Sequence, residues 1–176
     1  FLAYLGYLSG FAHVSDCMQD DAYREAARRL MLDEQAPTLR ITDVDLTAYA
    51  DNLIDRFANP ALQHRTWQIA MDGSQKLPQR MLEGVRVHLQ RESAGPLLAL
   101  GIAGWMRYVS GVDDAGNTID IRDPLSEKIR AIVETSSEKD RVSALLTLSE
   151  IFGSDLPQQA QFVEAITHAY QRISER

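Results

Sequence analysis

Helical periodicity is the feature that most constrains the fold of this chain. Between residues 46 and 57 the apolar side chains recur every three or four positions, as one face of an α-helix requires: Leu46, Tyr49, Leu53, Ile54 and Phe57. Thr42 and Asp45 precede this stripe with the spacing of a variant capping box, and Asn59 followed by Pro60 ends it. Alternation of apolar and polar residues, which marks a half-buried strand, is scarce. The sequence therefore predicts an all-α fold.

The same criteria extend along the rest of the chain and predict about eight or nine helices in one compact domain, residues 1–176. The predicted helices cover residues 1–12, 19–34, 43–59, 64–71, 75–92, 97–111, 124–134, 138–152 and 157–174. The nearly all-apolar run at 97–111 has only 15 residues, whereas a membrane span needs about 20. We therefore expect it to be a central core helix. In the first helix, the small residues Ala3, Gly6 and Gly10 are expected to let another part of the backbone approach closely.

Charge and cysteine content exclude several functions. The net charge is −7 and the pI is about 5.0, which argues against nucleic-acid binding, because that requires a basic face. Cys17 is the single cysteine, so no internal disulfide can form, and a reducing, cytoplasmic location is expected.

The histidines lack the spacing of a zinc site, and we predict no metal. The chain opens on Phe1 in an uncharged apolar run, which we interpret as part of a truncated helix in a fragment of a longer protein, with no membrane partner.

A cluster of cations makes residues 56–80 the most informative stretch for function. Five basic side chains fall within these 25 residues of an otherwise acidic chain: Arg56, His64, Arg65, Lys76 and Arg80. Pro60, Gly73 and Pro78 interrupt the stretch. A plain core helix needs neither feature, so the stretch predicts a binding site.

Lys76 is the leading candidate within this stretch. A helix that starts at Ser74 or Gln75 places Lys76 in its first turn, where the helix dipole disfavours a cation unless an anion shares the free amides. If the chain bends only slightly at Gly73, four polar side chains share one edge: Gln68, Asp72, Lys76 and Arg80. Such an edge could bind the hydroxyls and the carboxylate of a sugar acid. The alternative is an exposed helix edge with an Asp72–Lys76 surface pair, which is worth under about 1 kcal/mol.

The segments RFANP (residues 56–60) and DGSQK (72–76) resemble the C-terminal helical domain of the mannitol dehydrogenase and fructuronate reductase family, which are polyol-specific long-chain dehydrogenases. In that family the lysine of the second segment contacts the substrate, which implies that role for Lys76. Mannitol-type members carry an arginine eight positions before this lysine, and Gln68 stands there in this chain. Arg65 or Arg80 would then supply the cation for a substrate carboxylate, which favours the uronate-reducing branch.

The resemblance also implies what this chain does not contain. The family's catalytic motif is Lys-x4-Asn-x2-His, which precedes the first helix of the resembled domain and occurs nowhere in the 176 residues. No G-x-G-x-x-G turn is present either. The catalytic residues and most of the NAD(H) site are therefore expected upstream, in an N-terminal Rossmann domain that this domain would pack against. The implied parent reaction is hydride transfer between NAD(H) and a keto-uronate, fructuronate to mannonate. The alternatives are a mannitol or other polyol dehydrogenase, and a stand-alone helical binding module without catalysis.

Overall fold

The computed structural model describes residues 1–93 and 95–175, which form helices joined by turns. Within these residues there is no strand, only isolated antiparallel bridges between His13 and Arg65 and between Val112 and Thr118. The predicted all-α fold is confirmed. The α-helices in chain order are α1 (Leu2–Leu8), α2 (Val14–Cys17), α3 (Asp21–Arg29), α4 (Leu46–Ala58), α5 (Thr66–Ala70), α6 (Gly73–Leu77), α7 (Glu83–Leu89), α8 (Pro96–Tyr108), α9 (Ser126–Thr135), α10 (Arg141–Leu145), α11 (Ser149–Phe152) and α12 (Ala160–Ser174).

Helix α8 lies at the centre of the core, as its apolar sequence predicts. Leu98, Ile102, Ala103 and Met106 are fully buried, and the helix packs against α1, α7, α10 and α12. Burial on every side explains why this helix shows no polar face. None of the helices in the described part of the chain is long and apolar enough to cross a membrane.

The two glycines near α1 behave differently from each other. A Cβ on Gly6 would lie 2.4 Å from the Cys17 sulfur, so this glycine permits the close contact of α1 with α2. Gly10 has φ +84°, with no atom within 4 Å of where its Cβ would be. The predicted close approach at Gly10 is therefore wrong. Its role is to take the left-handed conformation in the turn after α1, which suits glycine.

The single helix predicted over residues 138–152 is broken into shorter pieces. A 3-10 turn at Glu138–Asp140 leads into α10, and Leu148 then leaves the helical conformation before α11 begins. The break allows Leu145 on one side and Phe152 on the other to be fully buried in the same core. Tertiary packing thus outweighs the local helical pattern here.

The helix that carries Lys76 starts earlier than the sequence suggests. It begins at Gly73 and ends at Leu77, so Pro78 directly follows the helix rather than lying in its first turn. Proline has no N–H to donate, and its ring would clash with the carbonyl four residues earlier in a regular α-helix. The chain adopts a π-helical segment, Pro78–Leu82, before the α-helix resumes as α7. A second π-helical segment, Leu30–Gln35, continues α3.

Candidate functional site

The candidate site is a groove of about 420 Å³, hereafter the Lys76 groove, which lies between α1, α3, α4 and α6. Its walls are mainly apolar and include Tyr4, Leu53 and Phe57. Three nitrogen-bearing side chains also line it: Gln35, Lys76 and Arg80. A mostly apolar pocket of this size with a few convergent polar groups is typical of small-molecule sites.

The Lys76 ammonium is anchored by the end of the preceding helix. Its Nζ donates hydrogen bonds to the carbonyl oxygens of Ile69, at 3.0 Å, and of Met71, at 2.6 Å. An ammonium has three N–H donors, so one remains for a ligand. Within the described residues its hydrogen-bond partners are these two backbone oxygens, and it forms no ion pair with a carboxylate. The side chain is therefore held in position in the wall of the groove.

Arg80 lies four residues further on, in the π-helical segment, and faces the same groove. Gln35 Nε2 donates a hydrogen bond to the Arg80 carbonyl oxygen at 3.2 Å, which links the backbone of Arg80 to the segment that follows α3. The guanidinium itself donates no hydrogen bond to the rest of the described chain and forms no ion pair with it. Two cations without an ion-pair partner among the described residues thus line one groove.

Gln68 and Arg65 lie elsewhere. Gln68 is exposed on α5, and Arg65 is the exposed residue just before that helix; neither lines the Lys76 groove. The reason is the break between α5 and α6, where Met71 is extended and Asp72 has φ 57°. The continuous polar edge expected from Gln68 to Arg80 is therefore split between two helices. The roles of Gln68 and Arg65 in substrate binding stay predictions.

The N-terminus of α6, predicted as an anion site, already holds a carboxylate. The Ser74 N–H donates to Asp123 Oδ2 at 2.8 Å, while Asp123 Oδ1 accepts from the Leu125 N–H at 2.9 Å. Asp123 lies 49 positions away in sequence, so no local pattern could indicate this cap. An external anion that used the Ser74 amide would have to displace Asp123.

Tyr4 is a groove residue that the sequence does not reveal. It is buried on α1, and its hydroxyl would lie 2.8 Å from a Cβ placed on Gly73. Burial, and then the charge of Asp123, raise the pKa of Tyr4 well above its ordinary value. The hydroxyl therefore stays protonated at neutral pH and can donate. In sequence it is one of several aromatic residues in an apolar helix, and nothing there distinguishes it from a core tyrosine.

Comparison with known proteins identifies the family. The family model described as "Mannitol dehydrogenase C-terminal domain" matches residues 1–174. The chain belongs to this family. Among the described residues of this mannitol dehydrogenase C-terminal domain, no group of three or more His, Cys, Asp or Glu side chains could hold a metal ion.

Three relatives illustrate the range of similarity. The chain is 73% identical to the uncharacterized oxidoreductase YeiQ of Escherichia coli (strain K12), over 98% of this chain and 36% of the relative. It is 58% identical to D-mannonate oxidoreductase of the same strain, over 100% of this chain and 36% of that enzyme. Mannitol 2-dehydrogenase of Pseudomonas fluorescens, solved as a ternary complex with NAD and D-mannitol, has a TM-score of 0.92 at 31% identity, covering 99% of this chain and 35% of the enzyme. The chain thus spans about a third of the length of these relatives.

Proposed function

We propose that this domain forms the substrate-binding wall of an NAD-dependent oxidoreductase that interconverts fructuronate and mannonate. The observation that carries the proposal is that Lys76 and Arg80 line one groove and that neither forms an ion pair with a carboxylate of the described residues. A sugar acid has a carboxylate to place against two cations, whereas a polyol has only hydroxyls. The 58% identity to D-mannonate oxidoreductase supports the same substrate class.

The two cations would have different tasks. Lys76 is held by two carbonyl oxygens and has one remaining N–H, so it would direct a single hydrogen bond at a hydroxyl or carboxylate oxygen of the sugar. Arg80 has a free guanidinium, which can bind a carboxylate through two parallel hydrogen bonds. The apolar walls would exclude water and strengthen both interactions. Tyr4, as a protonated phenol, would add a further donor.

The dinucleotide would be bound outside this chain. The sequence has no glycine-rich phosphate-binding turn, and the Ser74 amide at the start of α6 is taken by Asp123, so we expect the groove not to hold a dinucleotide by itself. When bound in the complete protein, NAD(H) would supply the hydride acceptor or donor. The catalytic residues are expected in the same dinucleotide-binding part of the complete protein, and the contribution of this domain would be to hold and orient the sugar acid.

The free thiol of Cys17 is compatible with a reducing compartment, and we place the protein in the cytoplasm.

The test is the selectivity of the complete protein after Arg80→Ala. Fructuronate and fructose differ in the carboxylate, so the variant should lose at least 10-fold in kcat/KM for fructuronate reduction and less than about 2-fold for fructose reduction. A 10-fold loss corresponds to about 1.4 kcal/mol of transition-state interaction. The matched control is Arg91→Ala, which removes an exposed arginine outside the Lys76 groove and should leave both rates unchanged. Equal losses on the two substrates would reject the role of Arg80.

A polyol reaction is the second candidate, favoured by the similarity to mannitol 2-dehydrogenase in its complex with NAD and D-mannitol. The same assay decides between the two. If the unmodified protein reduces fructose more efficiently than fructuronate, the polyol reaction is correct and the sugar-acid proposal fails.

A further inference from the structure

Gln35 lines the Lys76 groove at the end of a π-helical segment, Leu30–Gln35, and is half-buried. Its side-chain nitrogen Nε2 donates to the carbonyl oxygen of Arg80. This contact settles the orientation of the amide, because a carbonyl oxygen needs a donor opposite it. The amide oxygen Oε1 accepts no hydrogen bond from the rest of the described chain, so it is free to accept one from a ligand.

The hydrogen-bonding groups of the groove are mostly donors. The ammonium of Lys76 and the guanidinium of Arg80 can only donate, and the hydroxyl of Tyr4 can donate or accept. Among the described side chains that line the groove, Gln35 carries the one carbonyl oxygen. The carboxylate of a sugar acid accepts hydrogen bonds, but each of its hydroxyls also has a proton to donate. A hydroxyl that enters an apolar pocket without an acceptor costs free energy, and Gln35 can provide that acceptor.

The preceding residue holds this segment in place. Glu34 is buried, and its carboxylate oxygens accept from the backbone N–H groups of Leu97, at 2.8 Å, and Leu98, at 2.7 Å. The Glu34 carbonyl oxygen accepts from Nε2 of the buried His88 at 2.6 Å. The backbone before Gln35 is thus fixed to the start of α8 and to α7. A group held in this way loses little conformational entropy on binding, and π-helical segments are frequent at functional sites.

We propose that Gln35 is a substrate-binding residue whose Oε1 accepts a hydrogen bond from a hydroxyl of the bound sugar. This inference rests on the proposed function and extends it from the carboxylate to the rest of the sugar. Arg80 recognises the carboxylate, which fructuronate has and fructose lacks. Gln35 recognises a hydroxyl, which both sugars carry. Gln35 therefore favours a polyhydroxylated substrate over a keto acid without hydroxyls, and it does not contribute to the choice between fructuronate and fructose.

The experiment compares Gln35→Met with Gln35→Glu in the complete protein. Both substitutions remove the donor to the Arg80 carbonyl oxygen, but only glutamate keeps an acceptor oxygen on a side chain of the same length. The value of kcat/KM is measured for fructose, because fructose has no carboxylate that the added charge could repel. High fructose concentrations keep the rate measurable even if turnover is slow.

We expect Gln35→Met to lose at least fivefold in kcat/KM for fructose and Gln35→Glu to lose less than twofold. A fivefold loss corresponds to about 1 kcal/mol, which is typical of one hydrogen bond. The matched control is Gln171→Met, which replaces an exposed glutamine of α12 outside the groove and should leave the rate unchanged.

Three results would overturn the proposal. If Gln35→Glu loses as much as Gln35→Met on fructose, the contact with the Arg80 backbone is what matters. If neither variant loses activity, Gln35 does not contact the sugar. Gln35→Met should also lose as much on fructuronate as on fructose, and a loss confined to fructuronate would mean that Gln35 acts only through Arg80.

These outcomes are separable from that of the proposed function. If Arg80→Ala changes selectivity as expected and Gln35→Met has no effect, the hydroxyl contact alone is rejected. If the unmodified protein prefers fructose and the two Gln35 variants differ as expected, the hydroxyl contact stands and the sugar-acid reaction is rejected.

Discussion

The Lys76 side chain is held in place by the chain's own backbone. Its ammonium donates to the carbonyl oxygens of Ile69 and Met71, so in the proposed role it would lose little side-chain entropy on binding a substrate. The same contacts give it a structural task, because Lys76→Ala would leave both carbonyls without this donor. Activity and stability should therefore fall together in that variant. The Arg80 side chain has no such contacts, so Arg80→Ala is the better test of the proposed substrate recognition.

Cys17 gives a residue-scale prediction about reactivity. The thiol is buried against Gly6, and burial raises the pKa of Cys17 to about 11. Since the thiolate is the reactive form, iodoacetamide at pH 8 should alkylate Cys17 at least 100-fold more slowly in the native protein than in denaturant, as followed by peptide mass spectrometry. Comparable rates in the two conditions would contradict this burial.

Residues that act through distant partners could not be identified from the sequence. Lys76 and Arg80 can be predicted from the sequence, because cations beside helix breakers are visible locally, and both do line one groove. Asp123 and Tyr4 cannot, because they reach α6 from segments far away in the chain. Helical spacing alone places Gln68 on the same edge as Lys76, but the left-handed residue Asp72 separates them.

At the scale of the element, Gly73 determines how closely α6 can approach α8. A Cβ at this position would lie 2.5 Å from Trp105 Nε1 and 2.8 Å from the Tyr4 hydroxyl. Because the indole ring is rigid and almost fully buried, it cannot move aside cheaply. We predict that Gly73→Ala destabilises the protein by roughly 1–3 kcal/mol, measured by urea unfolding of the complete protein.

Gly84 is the matched control for that substitution. It lies within α7, and the single neighbour of its added Cβ among the described residues, Leu98 Cδ1, is at 3.4 Å. Gly84→Ala should therefore be neutral or stabilise by about 0.5–1 kcal/mol, since alanine restricts the unfolded chain more than glycine does. If both variants shifted the midpoint equally, the close approach at Gly73 would not be what limits the packing.

At the scale of the whole molecule, a charge pair joins α7 to the segment that precedes α12. Arg86 Nε donates to Asp155 Oδ2 at 2.7 Å, and Arg86 Nη2 donates to Oδ1 at 3.0 Å. The hydrogen bonds from Arg86 are the main reason that the pKa of Asp155 falls from 3.8 to about 2. A carboxyl whose folded pKa is lowered stabilises the fold above its unfolded pKa, and this contribution is lost as pH falls from about 3.8 toward about 2.

We therefore predict a pH-dependent effect of Asp155→Asn. The variant should melt at a lower temperature than the unmodified protein at pH 6, and the gap should narrow as the pH falls below about 4, measured by thermal unfolding across that range. In an Arg86→Gln background the same substitution should show no such narrowing. A gap that stays constant with pH would mean that the charge pair does not contribute to stability.

The sequence by itself determined the local features of this protein. The all-α content, the central position of α8, the break at Asp72 and the cation-rich stretch follow from periodicity, breaker residues and hydrophobicity over short distances. The tertiary structure alone decided which cations share a groove and which carboxylate caps α6. These features depend on contacts between segments that are far apart in the chain. Their relative placement is set by how the whole core packs, which short-range sequence patterns do not record.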